Sequence, residues 1–265
     1  MSFPFVKGHG TRNDFIVLPD PDGSIHGDLD PATVRALCDR RAGIGADGVL
    51  RAVRSAGSAE WFMDHRNADG SVSEMCGNGI RVFARYLAGA GLIDAGDLDV
   101  DTRSGVKHVA FCADGDISVD MGVASLGEPV KVTVEGRAFD AMAVDVGNPH
   151  AVAFVDSLEE AGDLLKPPEF SASDFPNGVN VEFVVASGAS DIAMRVFERG
   201  VGETESCGTG ACAAAFAVAR RRDAAAPVSY RVHLPGGVVS VTYDAAGRVH
   251  LKGGAVLVAE GTWTG

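Results

Sequence analysis

Two segments of this chain repeat one unusual pattern at an interval of 131 residues. Each segment places a polar residue nine positions before a cysteine, and each cysteine is followed by Gly-x-Gly and then by apolar residues. The first segment runs from Asn67 through Cys76 to Gly79, and the second runs from Glu198 through Cys207 to Gly210. A pattern repeated at about half the chain length predicts an internal duplication, so the fold must provide two similar halves.

Two weaker similarities keep nearly the same interval. Residues 13–17 resemble residues 148–152 at an offset of 135, and residues 48–50 resemble residues 178–180 at an offset of 130. A chain of 265 residues is long enough for two domains, and the stretch 122–129 near its midpoint predicts the boundary. A duplicated protein with matching loops favours a binding site between its halves.

Each of the two cysteines precedes a predicted helix. Apolar residues follow Cys76 at positions 80, 83, 84 and 87, which is helical spacing. Residues 211–219 after Cys207 are apolar on all sides, as is typical of a buried helix. Because unpaired amides and the positive end of the dipole meet at a helix N-terminus, we expect the pKa of both thiols to be lowered. The glycines leave those amides accessible to an anion such as a carboxylate.

The remainder of the chain is predicted to be mostly strand. One further helix is expected from its N-cap Asp30 and Pro31, through the basic end at residues 39–41, to a stop at Gly43. Short apolar runs between turns predict strands at residues 15–18, 49–53, 97–102, 117–121, 130–134, 141–146, 179–185 and 192–196. Few helices among many strands, without regular βαβ alternation, indicate the α+β class.

The composition argues against several classes of protein. Twenty-three basic and 36 acidic residues give a net charge of −13, which disfavours nucleic acid or an anionic membrane as a partner. The N-terminus has no export pattern, and the longest apolar run is about half of the ~18 residues that a membrane span needs, so we expect a soluble cytoplasmic protein. The five cysteines lack metal-binding spacing, which predicts reduced thiols and no metal.

Two activated thiols at a carboxylate site fit three chemistries. They can form a redox pair, one can be a nucleophile with the other idle, or both can exchange protons with a carbon atom. Inversion of a stereocentre needs a base on one face of the carbon and an acid on the other, and helix N-termini can stabilise the charge that develops. We prefer the third chemistry because it uses both halves of the duplication.

The motifs around these cysteines resemble those of the diaminopimelate epimerase family. The similar segments are residues 9–15, 67–71, 75–81, 147–150, 198–204, 206–210 and 234–237, in order along essentially the whole chain. Residues 7–11 and 45–50 are most similar to actinobacterial members. The resemblance implies a cofactor-independent epimerase, usually a homodimer, that interconverts LL- and meso-2,6-diaminopimelate in lysine and peptidoglycan biosynthesis.

The resemblance also implies roles for individual residues. Cys76 and Cys207 would be base and acid, exchanging roles with direction, and His150 and Glu198 would assist them. The amides of Gly77, Asn78, Gly208 and Thr209 would hold the reacting carboxylate. The other substrate-binding residues implied are Asn13, Asn67, Asn148, Asn180, Glu198 and Arg199. Many relatives have glutamine where this chain has Gly48, so that contact is not carried over.

The fold that the resemblance implies is α+β, with two pseudo-symmetric domains. Each domain is a mixed β-barrel-like sheet wrapped around a central helix, and a C-terminal strand returns to the first domain. The predicted domains are therefore residues 1–122 plus 253–265, which carry Cys76, and residues 123–252, which carry Cys207.

Three other functions stay open on the sequence. A two-cysteine racemase of the same fold could act on proline or hydroxyproline, although such a substrate lacks the second head group that Asn67, Asn180 and Arg199 would bind. A thiol-disulfide redox protein is a second alternative. A binding protein for diamino acids is a third, but it would not need both cysteines. No lysine lies in a recognisable pyridoxal phosphate motif, so we expect no cofactor.

Overall fold

The computed structural model describes residues 2–265 and divides into two compact units. The first unit comprises the residues up to Val119 together with Gly253–Gly265, and the second comprises Asp120–Lys252. Within residues 2–265 there are three α-helices, one short 3₁₀ helix and eighteen strands. No helix in this range is long and apolar enough to cross a lipid bilayer.

The elements follow one another along the chain as β1 (Phe3–Gly10), β2 (Asn13–Pro19), α1 (Pro31–Cys38), β3 (Gly48–Arg54), β4 (Trp61–Asn67), α2 (Gly77–Gly89), β5 (Asp97–Thr102), β6 (Gly105–Phe111) and β7 (Ile117–Val123). They continue as β8 (Ser125–Val134), β9 (Arg137–Asp145), β10 (Pro149–Phe154), the 3₁₀ helix (Leu158–Ala161), β11 (Glu169–Phe170), β12 (Asn180–Ser187), β13 (Asp191–Glu198), β14 (Gly202–Thr204) and α3 (Gly208–Arg221). The last four are β15 (Val228–Leu234), β16 (Gly237–Tyr243), β17 (Arg248–Gly253) and β18 (Val256–Trp263). Each of the eight strands predicted from the sequence overlaps an observed strand.

The two units repeat one topology. From β1 to β7, successive pairs are antiparallel, parallel, antiparallel, parallel, antiparallel and antiparallel. The strands β9, β10, β12, β13, β15, β16 and β17 pair in the same order of orientations. In each unit the central helix follows the fourth of these strands, so the predicted duplication is present in the fold.

The strand register corrects one part of the predicted alignment between the halves. Phe15 pairs with Gly48 in the first unit, and its equivalent His150 pairs with Asn180 in the second. Gly48 is therefore equivalent to Asn180, and the expected match with Gly178 is wrong by two residues. A shift of two keeps every side chain on the same face of a strand, so hydrophobic alternation does not reveal such an error.

A central helix is buried within the sheet of each unit. The predicted apolar face of α2 is confirmed, because Ile80, Phe83, Ala84 and Leu87 are fully buried. The rest of α2 is also mostly buried, and it packs on β1, β2, β3, β4 and β18. All residues from Ala211 to Ala219 in α3 are buried as predicted, against β9, β10, β12, β13, β15 and β16. Each sheet thus wraps around an apolar helix, which is the expected α+β fold.

The last strand completes the first unit. β18 pairs antiparallel with β1 from Phe3–Trp263 to His9–Val256, with an irregularity between Lys7 and Gly8. β1 also pairs with β2, so the C-terminus of the chain closes the sheet that the N-terminus begins.

Helix α1 is shorter than predicted. Asp30 caps it by accepting a hydrogen bond from the Thr33 amide, but the helix ends at Cys38 and Asp39 is extended. The Asp39 carboxylate accepts hydrogen bonds from the amides of Arg41 and Ala42 at 2.7 and 2.8 Å. Local side-chain bonds of this kind compete with helix propagation, so the basic residues form a turn after the helix and not its last turn.

Candidate functional site

The predicted site residues gather at one edge of the sheet in each unit, where the central helix begins. In the first unit Asn13 starts β2, and Gly48 at the start of β3 pairs with Asn67 at the end of β4. In the second unit Asn180 starts β12 and Glu198 ends β13. The alternation of parallel and antiparallel pairs brings these distant positions together because strand starts and strand ends meet at the same edge.

Cys76 is the N-cap of α2. Its backbone is extended, and its Sγ accepts a hydrogen bond from the amide of Gly79 at 3.4 Å. The same sulfur lies 3.7 Å from Oδ1 of Asn13, to which a thiol can donate. The side chain is half-buried. Cys76, Asn13, Asn78 and Asp47 are called the first half-site below.

A directional chain of hydrogen bonds fixes the amides of the first half-site. Arg81 donates to Oδ1 of Asn78 at 3.0 Å, and Nδ2 of Asn78 donates to Oδ1 of Asn13 at 3.2 Å. Nδ2 of Asn13 then donates to the carboxylate of Asp47 at 2.8 Å. A guanidinium can only donate and a carboxylate can only accept, so Asn13 must present its oxygen toward Asn78 and Cys76.

Cys207 has the same position at the start of α3. Its Sγ accepts a hydrogen bond from the Gly210 amide at 3.3 Å and lies 3.5 Å from Oγ1 of Thr209. In contrast to Cys76, this thiol is buried. Cys207, Thr209, Asn148, His150, Glu182 and Glu198 are called the second half-site.

A second chain of contacts leads away from Thr209. Nδ2 of Asn148 donates to Oγ1 of Thr209 at 3.4 Å, and Oδ1 of Asn148 lies 3.0 Å from Nε2 of His150. The other ring nitrogen, Nδ1, lies 2.6 Å from Oε1 of Glu182. His150 and Glu182 are both completely buried. Asn148 thus presents its nitrogen toward the cysteine side, whereas the equivalent Asn13 presents its oxygen.

The electrostatics of the second half-site differ from the sequence-based expectation. Burial, and then the carboxylates of Glu198 and Glu182, raise the pKa of the Cys207 thiol well above its ordinary value. The hydrogen bonds from Thr209 and Gly210 lower the pKa of this thiol by less. The expectation that a helix N-terminus lowers both thiol pKa values is therefore wrong for Cys207, because desolvation of the thiolate outweighs the amides.

Glu198 lies beside Cys207 at the end of β13. Its carboxylate accepts hydrogen bonds from the hydroxyl of Thr204 and from the thiol of Cys207. Burial, and the nearby Glu182, raise the pKa of Glu198. A carboxyl group whose pKa is raised toward neutrality can exchange protons with a thiol.

The loop positions predicted to bind substrate make local contacts. Oδ1 of Asn180 accepts the backbone N–H of Arg199 at 2.8 Å, and the Arg199 guanidinium donates to the carbonyl of Asn177 at 2.8 Å. In the described part of the chain, Glu203 forms a salt bridge of 2.6 Å with Arg195 and not with Arg199. Asn67 is exposed, and its Nδ2 donates to Oγ of Ser71 at 3.0 Å within a turn.

The backbone at Gly48 leaves no room for a side chain. A Cβ atom at this position would lie 2.6 Å from the carbonyl oxygen of Arg66 and 3.2 Å from Nε2 of His65. His65 is buried, and this burial lowers its pKa to about 4, so the ring is neutral near pH 7. The histidine ring therefore occupies the space beside Gly48.

Four residues that fix the half-sites were not predicted from the sequence: Asp47, Arg81, Glu182 and Thr204. Two of them carry a usable signal. Glu182 is a lone charge inside an apolar strand, and Arg81 lies among the apolar residues of a buried helix. A charge at a buried position demands a partner, so such residues are candidates for a polar network. Within residues 2–265, no three His, Cys, Asp or Glu side chains are arranged to hold a metal ion.

Comparison with known proteins identifies clear relatives. The sequence profile of the family described as diaminopimelate epimerase matches residues 5–127 and 142–258. A protein named diaminopimelate epimerase from Streptomyces coelicolor is 55% identical, with 97% of this chain and 94% of that protein covered. A protein of the same name from Thermobifida fusca is 50% identical, with 97% and 96% covered.

Solved structures with a similar fold are more distant in sequence. A PhzF-family phenazine biosynthesis protein from Bacillus anthracis has a TM-score of 0.77 at 15% identity, over 100% of this chain and 99% of that chain. A hydroxyproline epimerase from Agrobacterium vitis, solved with trans-4-hydroxy-L-proline, has a TM-score of 0.71 at 17% identity, over 98% and 92%. At these identities the similarity establishes the shared fold.

Proposed function

Because this chain belongs to the diaminopimelate epimerase family, we propose that it interconverts LL- and meso-2,6-diaminopimelate with Cys76 and Cys207 as the acid–base pair. It is an isomerase. One observation supports the choice of these cysteines above all others. Each is the N-cap of a central helix, and each sulfur accepts the amide of the third residue that follows, at 3.4 Å for Gly79 and 3.3 Å for Gly210.

In the proposed mechanism one cysteine is a thiolate and the other a thiol. The thiolate removes the α-proton of the substrate, and the thiol delivers a proton to the opposite face of the same carbon. Both protons and charges balance, because one sulfur gains a proton as the other loses one. The roles are reversed after each turnover, so the enzyme acts in both directions.

The helix N-termini supply the electrostatic part of the mechanism. Removal of the α-proton places negative charge on the α-carbon and its carboxylate. The amides of Gly77 and Asn78 and those of Gly208 and Thr209 would donate to this carboxylate. Fixed donors and two helix dipoles stabilise such charge without reorganisation during the reaction. The chemistry moves protons only, so it requires no electron acceptor.

Other residues have supporting roles in the proposal. Glu198 exchanges a proton with Cys207, whose thiol donates to it, and His150 supports the same half-site through Asn148. Asn13, Asn67, Asn148, Asn180 and Arg199 bind the amino and carboxyl groups of the substrate. Amides and a guanidinium suit a substrate with a charged head group at each end.

We also propose, from the family resemblance, that the enzyme works as a homodimer in the cytoplasm. Its two units would be the duplicated domains, with residues 1–122 and 253–265 in one and residues 123–252 in the other. The net charge of −13 agrees with a partner that is neither nucleic acid nor an anionic membrane.

The experiment uses reduced, pyridoxal-free enzyme with LL-diaminopimelate in D₂O. We expect formation of the meso isomer with solvent deuterium at the inverted carbon, and loss of this conversion in both Cys76→Ala and Cys207→Ala. Cys38→Ala is the matched control, because burial raises the pKa of the Cys38 thiol to about 12 and it plays no part in the mechanism. The control should retain full activity.

Alternative outcomes separate the competing functions. Conversion of proline or hydroxyproline instead of diaminopimelate would replace the proposal with a racemase of that type. Reduction or oxidation of a substrate without deuterium incorporation would favour a thiol-disulfide protein. Tight binding of diaminopimelate with no exchange at all would leave a binding protein.

A further inference from the structure

The buried pair His150–Glu182 occupies positions that are apolar in the first unit. Phe15 and Leu50 are the equivalents of His150 and Glu182, and both are fully buried. The glycines opposite them confirm this equivalence. A Cβ at Gly79 would lie 3.4 Å from both Leu50 and Phe15, whereas a Cβ at Gly210 would lie 2.8 Å from Oε1 of Glu182.

The fold therefore does not need a charged pair at this place. One copy of the topology fills it with two apolar side chains, and a buried ion pair is seldom more stable than an apolar pair of similar volume. Within residues 2–265, moreover, Oε2 of Glu182 is buried without a hydrogen-bond partner, which adds a further cost. A charge retained at such a cost calls for a functional explanation.

We propose that Glu182 is a positioning residue that locks the side-chain amide of Asn148 with its nitrogen toward Thr209 and Cys207. This inference rests on the proposed function, because it concerns how the second half-site is prepared for proton transfer. Glu182 acts through His150 and does not touch the substrate.

Both ring nitrogens of His150 face hydrogen-bond acceptors, which requires a proton on each. Nδ1 faces a carboxylate oxygen of Glu182 at 2.6 Å, and Nε2 faces the amide oxygen of Asn148 at 3.0 Å. Two acceptors require two N–H donors, and only the imidazolium form of histidine has both. A buried imidazolium needs a compensating charge, and Glu182 is the carboxylate in contact with it.

The protonated ring in turn fixes Asn148. An imidazolium can only donate, so Asn148 must turn its oxygen to His150 and its nitrogen to Thr209. Oγ1 of Thr209 then accepts from Asn148, and its own proton is available to the sulfur of Cys207 at 3.5 Å. A neutral His150 has one donor and one acceptor nitrogen. With its proton on Nδ1 beside Glu182, Nε2 would accept, and Asn148 would turn its nitrogen to His150 and its oxygen to Thr209.

In the first half-site a charged group also fixes the orientation of the asparagine amide, but in the opposite direction. There Asp47, an obligate acceptor, turns the nitrogen of Asn13 away and its oxygen toward Cys76. The two equivalent asparagines thus present opposite ends to their cysteines, and charged groups set each orientation. Asp47 thus turns an acceptor toward the sulfur of Cys76, and Glu182, through His150, turns a donor toward the sulfur of Cys207.

The first test reads the protonation of His150 directly by ¹⁵N NMR of the histidine rings. His150→Asn assigns the signal. We expect two protonated ring nitrogens at neutral pH in the wild-type protein and one in Glu182→Leu, which copies the residue of the first unit. Glu182→Gln keeps the volume and removes the charge, so it should also give one, and it decides the matter if the leucine variant does not fold. A neutral His150 in the wild-type protein would overturn the inference.

The second test measures kcat and a double-mutant cycle. We expect Glu182→Leu to lower kcat about 10- to 100-fold, the effect of losing one charge-assisted hydrogen bond in an active site. In a His150→Asn background, Glu182→Leu should lower kcat by less than about a further threefold, because both substitutions break the same chain of contacts. If the losses of kcat in Glu182→Leu and His150→Asn multiply in the double variant, Glu182 does not act through His150. An unchanged kcat in Glu182→Leu would also refute the proposal.

The matched control is Asp191→Asn, which breaks a carboxylate–histidine pair of 2.9 Å on the surface of the same unit. It should leave kcat and the His150 signal unchanged. If the wild-type enzyme shows no epimerase activity but His150 is doubly protonated, the proposed function fails while the orientation of Asn148 stands. The two failures are therefore distinguishable.

Discussion

Gly79→Ala and Gly210→Ala place the same methyl group at equivalent positions of α2 and α3, and we expect opposite effects on stability. At Gly79 the new Cβ lies 3.4 Å from its nearest neighbours, which is ordinary van der Waals contact. At Gly210 it lies 2.8 Å from Oε1 of Glu182, which is too close. That oxygen cannot retreat without lengthening its 2.6 Å contact with His150.

The expected magnitudes follow from these distances. Alanine is favoured over glycine in a helix by up to about 1 kcal/mol, so Gly79→Ala should stabilise the protein by that amount. Gly210→Ala gains the same ~1 kcal/mol of helix propensity. It also weakens a charge-assisted hydrogen bond worth about 1.5–3 kcal/mol, so the free energy of unfolding should fall by about 0.5–2 kcal/mol in total.

Thermal unfolding of both variants, followed by circular dichroism at one protein concentration, is the assay. A change of 1 kcal/mol shifts Tm by about 2–4 °C in a protein of 150–250 residues, so the two Tm values should lie on opposite sides of the wild-type value. The comparison is internal, because both variants change backbone entropy and helix propensity in the same way. If Gly210→Ala is as stable as Gly79→Ala, the contact between Gly210 and Glu182 does not limit this position.

Two further predictions concern buried titratable groups. Because its pKa is raised by burial and by two carboxylates, Cys207 should be alkylated by iodoacetamide at pH 7 at least about tenfold more slowly in the native than in the urea-unfolded protein, as followed by mass spectrometry of its peptide; equal rates would contradict this. His65 has a pKa of about 4 when folded and an ordinary value of 6.5, so the unfolded state binds its proton first as the pH falls. The free energy of unfolding should therefore drop between pH 6.5 and 4 by up to about 3 kcal/mol more in the wild-type protein than in His65→Gln, as measured by urea denaturation; parallel pH profiles would refute the assignment.

The sequence was sufficient to predict the elements that local chemistry decides. The central helices begin where the Gly-x-Gly turns place them, and the apolar face of α2 is the one given by helical spacing. The end of α1 was placed too late, because the Asp39 side chain competes with backbone carbonyls for the amides of Arg41 and Ala42. That competition depends on the backbone conformation two and three residues after Asp39, and it produces no periodic pattern in the sequence.

The contacts that orient the side chains of the half-sites could not be predicted from the sequence, for a different reason. Glu182 reaches His150 across 32 positions, and Asp47 reaches Asn13 across 34. Such pairings follow from strand register, and register is set by long-range packing. The thiol of Cys207 illustrates the consequence: its helix position was predicted correctly, but the burial that dominates its pKa comes from the surrounding sheet.

The pairing of β18 with β1 determines when each unit can be completed during synthesis. The second unit begins within β7 and ends with β17, so all its strands are present in the chain once residue 253 has been synthesised. The first unit must wait for β18, and until then the edge of β1 is open to other strands. Domains usually fold in the order in which they are translated. In this chain the half that is translated first is finished last, after its duplicate.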